Sequence, residues 1–241
     1  MWSGRFSRCA GLTTAAIIMA DMSSSLALVR IMTWLSPAFP VGSFAYSGGL
    51  ERAVEDGYVA DDQGLERWVS SLMSHGSLWN DAVFCAEAYR RSRTGEALTE
   101  LAELADALAG SRERHQELTL LGGAFLQAAR AWPTDVLDAL PSHCPYPVSV
   151  GAVAGAHDIG LEQAVAAFLN AAVGQLVSVA IRCGVLGQTK GVALIARLED
   201  RMIASARKAA FSSLDDLGSA TILADISSLK HETQVTRLFR S

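Results

Sequence analysis

The side chains best able to bind a transition metal or to act as nucleophiles are the histidines and the cysteines. They are His75, His115, His143, His157, His231, Cys9, Cys85, Cys144 and Cys183. Zinc and nickel sites usually bring ligands together at close spacings such as HxxxH or CxxC, and neither spacing occurs here. Only His143 and Cys144 are adjacent, and neighbouring residues rarely converge on one ion. The spacing therefore predicts no metal site, and a metal-binding role for His143 and Cys144 stays a minor alternative.

One segment superficially resembles a phosphate-binding loop. Residues 184–191 read GVLGQTKG, whereas the motif GxxxxGK[ST] needs a glycine before the lysine and a hydroxyl after it to hold magnesium. The chain also has no GxSxG nucleophile elbow, and Cys85 lies in an apolar stretch typical of a core. We therefore predict no catalytic residue, no cofactor and no enzymatic activity, with a helical enzyme that uses an unrecognised cofactor as the alternative.

The composition indicates helices and a protein partner. Half of the 241 residues are hydrophobic, with only 7% aromatic and few prolines, and unbranched side chains lose little rotamer freedom in a helix. The net charge of −5 leaves no basic surplus to neutralise phosphates, so nucleic acid is not expected to bind. The scattered cysteines are typical of reduced thiols in a cytoplasmic protein.

Apolar periodicity and turn residues predict an all-α fold, a compact domain of about nine to ten helices around a central apolar helix. Proline and glycine separate the helical stretches. The predicted helices are Leu26–Leu35, Phe44–Gly57, a region from Asp61 or Asp62 to Arg93 broken near Gly76, Glu96–Ala109, Arg112–Trp132, Val148–Ala156, Leu161–Ile181, Gln188–Ala210 and about Asp216–Arg237, with a break in this last stretch as the alternative.

Two apolar stretches raise the question of a membrane. Leu161–Ile181 approaches the length of a transmembrane span, but Asn170, Gln175 and Ser178 interrupt it, so we expect a buried central helix; a membrane-associated protein is the alternative. Residues 1–22 vaguely resemble a signal peptide, and we expect a disordered extension or a misassigned start there instead.

Three segments resemble the urease accessory protein F family (UreF). Residues 36–51 read SPAFPVGSFAYSGGLE, residues 186–191 read LGQTKG, and residues 225–241 end in HETQVTRLFRS. They are similar to the N-terminal signature of that family, to its Gly-Gln-Thr-x-Gly turn and to its C-terminal ending, in the same order. The resemblance extends over about Leu26 to Ser241.

This resemblance implies an all-α homodimer without catalysis of its own. Its expected partners are a second accessory protein (UreD, also called UreH), the GTPase UreG and apo-urease, into which nickel is inserted. On this basis we divide the chain into residues 1–22, a helical domain at 23–230 and a partner-binding tail at 231–241.

The candidate partner-binding residues lie in these three segments. They are Pro37, Pro40, Gly42, Tyr46, Ser47, Glu51, Gln188, Lys190, Gly191, His231, Glu232, Arg237, Leu238, Phe239 and Arg240. The first segment could equally be a stiff corner between helices, and the second a helix start whose Lys190 contacts the GTPase. For His231 and Glu232 the simple alternative is an exposed helical face. For the tail it is an untied end, although Leu238 and Phe239 between two arginines are typical of a binding hot spot.

Overall fold

The structure, a computed structural model, describes residues 23–241 and is all-α over that range. The expectation for residues 1–22 lies outside the described residues. The described α-helices are α1 (23–34), α2 (Leu50–Glu55), α3 (Asp62–His75), α4 (Ser77–Thr94), α5 (Thr99–Ala107), α6 (Arg112–Ala129), α7 (Val136–Ala139), α8 (Tyr146–Ala156), α9 (Leu161–Arg182), α10 (Gln188–Phe211) and α11 (Ile222–His231). Two 3₁₀ turns lie at Ser43–Ala45 and Leu214–Asp216.

Local signals set most of the boundaries. Asp61 caps α3 by accepting a hydrogen bond from the Gly64 amide at 2.7 Å. Ser213 forms a capping box with Asp216, whose carboxylate accepts from the Ser213 amide at 2.9 Å. Gly76 separates α3 from α4, as predicted. These ends follow from side chains a few residues apart, which is why the sequence could locate them.

The central apolar helix is confirmed. α9 packs against α2, α3, α4, α8 and α10, and by length and a mean hydropathy of 1.9 it could cross a membrane, yet half of that stretch is buried inside the fold. The shorter α8 is buried more completely, because Pro147 to Gly155 have no exposed position. Its glycines let it lie directly on α4, where a Cβ on Gly151 would be 2.0 Å from the Cys85 carbonyl oxygen.

Two predicted helices were wrong over part of their length. Phe44–Gly57 is α-helical only over Leu50–Glu55, after the 3₁₀ turn at Ser43–Ala45. The Ser43 and Tyr46 carbonyls accept hydrogen bonds from Gln175 of α9 at 2.8 and 3.0 Å, which holds this part of the chain out of a continuous α-helix. The helix predicted over Asp216–Arg237 covers only Ile222–His231. The Thr233 and Gln234 amides still donate to carbonyls of the last turn of α11, whereas the Leu238, Phe239 and Arg240 amides donate to groups elsewhere in the fold.

An aromatic cluster fixes the first predicted loop. Phe39 packs on Phe125 at 5.6 Å between ring centroids. Trp34, at the end of α1, is fully buried and meets Trp132 at 5.8 Å. The loop between them therefore has anchors on both sides, and Pro37 and Pro40 at its surface restrict its backbone further.

The tight contact between α6 and the segment before α8 predicts a difference between two adjacent glycines. A Cβ on Gly122 would lie 1.9 Å from the Cys144 carbonyl oxygen, whereas a Cβ on Gly123 would meet only the Ser142 oxygen at 3.8 Å. Gly122→Ala should lower the free energy of unfolding by about 1–3 kcal/mol, as overpacking does. Gly123→Ala should leave it unchanged or raise it by up to about 1 kcal/mol. Urea unfolding of the two variants tests this, and equal stabilities would contradict the close approach.

Candidate functional site

The first and third segments meet in space where α2 begins beside α11. Gly49, just before α2, has a left-handed φ of 79°. A Cβ on it would lie 2.7 Å from the Ser228 amide nitrogen of α11. Both the backbone conformation and the contact exclude other residues, so Gly49 is what allows the two helices to approach.

A buried charged cluster lies at this junction. His231 is fully buried, with its Nε2 3.1 Å from Glu51 Oε2 and its Nδ1 2.7 Å from Glu113 Oε2. The other Glu113 oxygen accepts from Arg237 Nη1 at 2.7 Å. Ionised carboxylates only accept hydrogen bonds, so both ring nitrogens donate when the ring is an imidazolium. The His231 cluster, Glu51, Glu113, His231 and Arg237, then holds two negative and two positive charges.

Glu51 also holds the tail, residues 232–241, against the domain. Its Oε1 accepts from the Leu238 amide at 2.7 Å and its Oε2 from the Phe239 amide at 3.1 Å. Farther along, the Arg240 amide donates to the Ala45 carbonyl at 2.7 Å, and the Ser47 amide donates to a main-chain oxygen of Ser241 at 2.8 Å. Because ionised acceptors make the stronger hydrogen bonds, Glu51 is the principal anchor of the tail.

Side chains complete the attachment. Phe239 is buried, and the Arg182 guanidinium lies 4.0 Å from its ring centroid, a distance suited to a cation–π contact. The same arginine donates to the Phe44 carbonyl at 2.8 Å. The tail is therefore neither untied nor wholly available to a partner, since one of its three apolar residues, Phe239, is used inside the chain.

The outer surface of this region is apolar. Leu238 is 60% exposed, and Val235 is almost fully exposed. They lie next in the chain to the exposed apolar residues of α11, which are Ile222, Leu223, Ile226 and Leu229. We call these six residues the α11–tail surface. Exposed apolar groups at this density are typical of a protein-binding surface.

The remaining candidates fall into two groups. Gly42 has the left-handed φ of 79° expected of a sharp turn, and Tyr46 and Ser47 are buried under the tail. The second segment lies apart, at the beginning of α10 beside α3, where the exposed Lys190 is 3.8 Å from Asp62. Gln188 is also exposed and Gly191 is buried. The structure thus joins the first and third segments and leaves the second as a separate surface.

His231 does not lie on an exposed helical face, so that alternative was wrong. Glu232 is half-buried, and its Oε1 accepts from the Arg112 amide at 2.8 Å. Both side chains turn inward because the first turn of α6 lies against the end of α11. There Glu113 hydrogen-bonds with His231, and the Arg112 amide donates to Glu232. Arg240 and Arg237 remain exposed on the tail.

Two groups of charged residues were not among the candidates predicted from the sequence. One is Glu113, and the other is the buried set Asp81, Arg114 and Glu117, in which Arg114 pairs with both carboxylates. A signal was present: Arg114 and Glu117 lie four residues before Leu118 and Leu121, on the apolar face of α6. Charged residues that continue a buried stripe must be paired inside the fold.

The metal and nucleophile candidates do not come together. His143 is exposed whereas Cys144 is buried, and burial raises the pKa of the Cys144 thiol to about 12. Burial likewise raises the pKa of Cys85 to about 12. Among residues 23–241, no group of three or more His, Cys, Asp or Glu side chains is arranged to hold a metal ion. The thiols are thus neutral at pH 7 and unsuited to bind a metal or attack a substrate.

Comparisons with known proteins all match the same family. A family model described as UreF matches residues 59–199. The urease accessory protein UreF of Rhizobium etli is 61% identical over 223 residues, which is 92% of this chain and the whole length of that relative. Its namesake in Agrobacterium fabrum is 58% identical over the same shares of the two chains. The urease accessory protein UreF 1 of Brucella canis is 59% identical over 89% of this chain and 94% of its own.

The role of Glu51 as anchor predicts a specific loss of tail protection. Glu51→Ala leaves His231 and two tail amides without their acceptor, which should cost about 3–5 kcal/mol, as breaking a buried ion pair does. In hydrogen exchange, the Leu238 and Phe239 amides should lose protection first. Glu55→Ala is the matched control, because Glu55 lies on the same helix and is exposed. Unchanged exchange at both amides in Glu51→Ala would rule out the anchor.

Proposed function

The chain belongs to the UreF family of urease accessory proteins, and from that premise we propose that it is a non-catalytic assembly factor for urease. It joins a UreD/UreH-type accessory protein to the GTPase UreG so that nickel is inserted into apo-urease, and it acts in the cytoplasm as a homodimer. Catalysis belongs to the partner GTPase, whose activity the chain can modulate without a nucleotide site of its own.

The observation that carries this proposal is the anchored tail. Glu51 and the rest of the His231 cluster hold residues 237–241 in one conformation, so a partner that binds there does not have to order a free segment. Pre-ordering of this kind improves affinity, because the entropy of immobilising the chain is already lost on folding. A scaffold whose work is docking benefits directly from such a surface.

We assign the α11–tail surface to the UreD/UreH-type partner. It combines exposed leucine and isoleucine side chains with Arg237 and Arg240 at its edge, and arginine at the rim of an apolar patch is a common feature of interfaces. Tyr46 and Ser47 lie buried next to the tail, and Pro37, Pro40 and Gly42 shape the loop that leads to them. Their role is then to position the tail and not to contact the partner themselves.

The second segment is assigned to the GTPase. Lys190 lies at the start of α10, is 69% exposed, and is close in the chain to the exposed Gln188. Two separate surfaces allow one chain to hold two partners at once. This arrangement is what a bridging factor requires.

Charge insertion into the α11–tail surface tests the assignment. Leu229→Asp or Leu238→Asp should weaken the binding free energy for the UreD/UreH-type partner by about 2 kcal/mol, which is roughly thirtyfold in affinity, as at a binding hot spot. Co-purification with the partner measures the loss. Ile203→Asp is the control, because Ile203 on α10 and Leu229 on α11 are each 51% exposed. Helical content measured by circular dichroism should stay unchanged in all three variants. If Leu229→Asp and Ile203→Asp bind equally well, the surface is assigned wrongly.

Nickel content tests the function itself. In cells that lack this protein, the urease subunits should accumulate normally while the purified enzyme contains little nickel. The measurement is metal analysis of urease purified with and without the intact gene, and a plasmid copy of the wild-type chain should restore the nickel. Fully loaded urease in the deletion strain would refute an assembly role.

A further inference from the structure

A cavity of about 370 Å³ opens between the loop before α2 and the exposed side of α9. Its walls are largely apolar and include Leu121, Tyr146 and Phe168. Asp81, Arg114 and Glu117 line it at one end. A pocket with apolar walls and a few converging polar groups is the usual form of a ligand site.

The three charged residues do not balance. Arg114 pairs with Asp81 through Nη2, and its Nη1 lies 3.0 Å from Glu117 Oε2. All three side chains are largely buried, so two carboxylates share one guanidinium away from water. Glu117 is only 9% exposed, and its Oε2 has no hydrogen bond, since the approach of Arg114 is an ion pair with unfavourable angles. One more positive charge is needed to balance the two carboxylates.

In the empty cavity a proton can supply that charge. Burial raises the pKa of both Asp81 and Glu117, although Arg114 opposes the rise. Burial also acts against the charge on Arg114, but the two carboxylates outweigh it, so the pKa of the guanidinium is raised and it stays charged. The other titratable groups nearby are Cys85 on α4 and Tyr146 on α8, both with pKa values raised by burial. Both are uncharged at pH 7. Asp225 of α11 lines a smaller neighbouring cavity and adds negative charge.

We propose that this cavity binds an alkylammonium group, with the aliphatic chain against Leu121, Tyr146 and Phe168 and the ammonium against Glu117 and Asp81. The ammonium takes the place of the shared proton, so binding releases a proton. An anion is disfavoured because two carboxyl groups and only one guanidinium line this end of the cavity. A divalent metal is disfavoured because Arg114 already lies between the carboxylates that would bind it. This inference does not depend on the proposed role in urease assembly.

Two sources could supply such a group, a lysine side chain of a partner protein or a free aliphatic amine. Three probes distinguish them in calorimetric titrations of the whole chain: Nα-acetyl-lysine amide, n-butylamine, and Nα-acetyl-norleucine amide as the uncharged analogue of the first. Both amines should bind, and the norleucine compound should bind at least about tenfold more weakly. Tighter binding of the lysine derivative than of butylamine identifies a protein lysine, and the reverse identifies a free amine. Equal binding of the charged and the uncharged probe overturns the proposal.

Variants locate the site. Glu117→Gln removes one of the two carboxylates that face the ammonium and should reduce amine affinity at least about tenfold. Glu199→Gln on α10, where Glu199 is exposed, is the control and should bind like the wild type. Ala171→Leu adds side-chain volume to the cavity from α9 and should also abolish binding. Unchanged amine binding in Glu117→Gln or in Ala171→Leu overturns the proposal.

The pH dependence gives a separate readout. Below the raised pKa values the carboxyl groups hold their proton and compete with the ammonium, so amine affinity should fall as the pH is lowered. Titrations at one pH in buffers of different ionisation enthalpy should show net proton release on binding. Proton release should disappear in Glu117→Gln. Binding without proton release in the wild type would overturn the exchange of a proton for an ammonium.

Discussion

The carboxylate of Glu51 on α2 connects α11 and the tail to the body of the fold. It accepts hydrogen bonds from two consecutive amides of the tail and from His231, while Glu113 binds the opposite side of the same ring. A charge buried in this way is costly unless its oxygens accept hydrogen bonds. In Glu51, His231 occupies one position on Oε2, and the two tail amides donate to Oε1 and to Oε2. The need to satisfy one buried carboxylate thus joins α2, α6, α11 and the tail.

The second buried set is built differently. In the His231 cluster the charges balance, and the result is a rigid attachment. Around Arg114 two carboxylates face one guanidinium, and the imbalance lies against a cavity. Balanced charges organise structure, whereas an unbalanced set keeps an affinity for something outside the chain. The two clusters lie only a helical turn apart on α6, at Glu113 and at Glu117, so one helix serves both purposes.

The candidate site was only partly predictable. The motif residues Glu51, His231, Leu238 and Phe239 could be selected from the sequence because they occur in segments that resemble a family. Their separate roles could not be predicted, because the inward position of Phe239 and the outward position of Leu238 depend on contacts with Arg182 and Glu51. Glu113 had no motif to mark it. The spacing of Arg114 and Glu117 showed that α6 carries charges on its apolar face. The pairing of these charges depends on Asp81, which lies more than thirty positions away in the chain.

By itself the sequence determined the helical class, the central position of α9 and the caps at Asp61 and Ser213, because periodicity and capping depend on residues within one or two turns of each other. It also contained the resemblance that the relatives support. Only the tertiary structure decided that the segment after Phe44 becomes α-helical at Leu50 and that α11 ends at His231, since Gln175 donates to the Tyr46 carbonyl and the Leu238 and Phe239 amides donate to Glu51. It likewise decided which charges are paired, because pairing depends on which helices pack side by side and no local pattern records that.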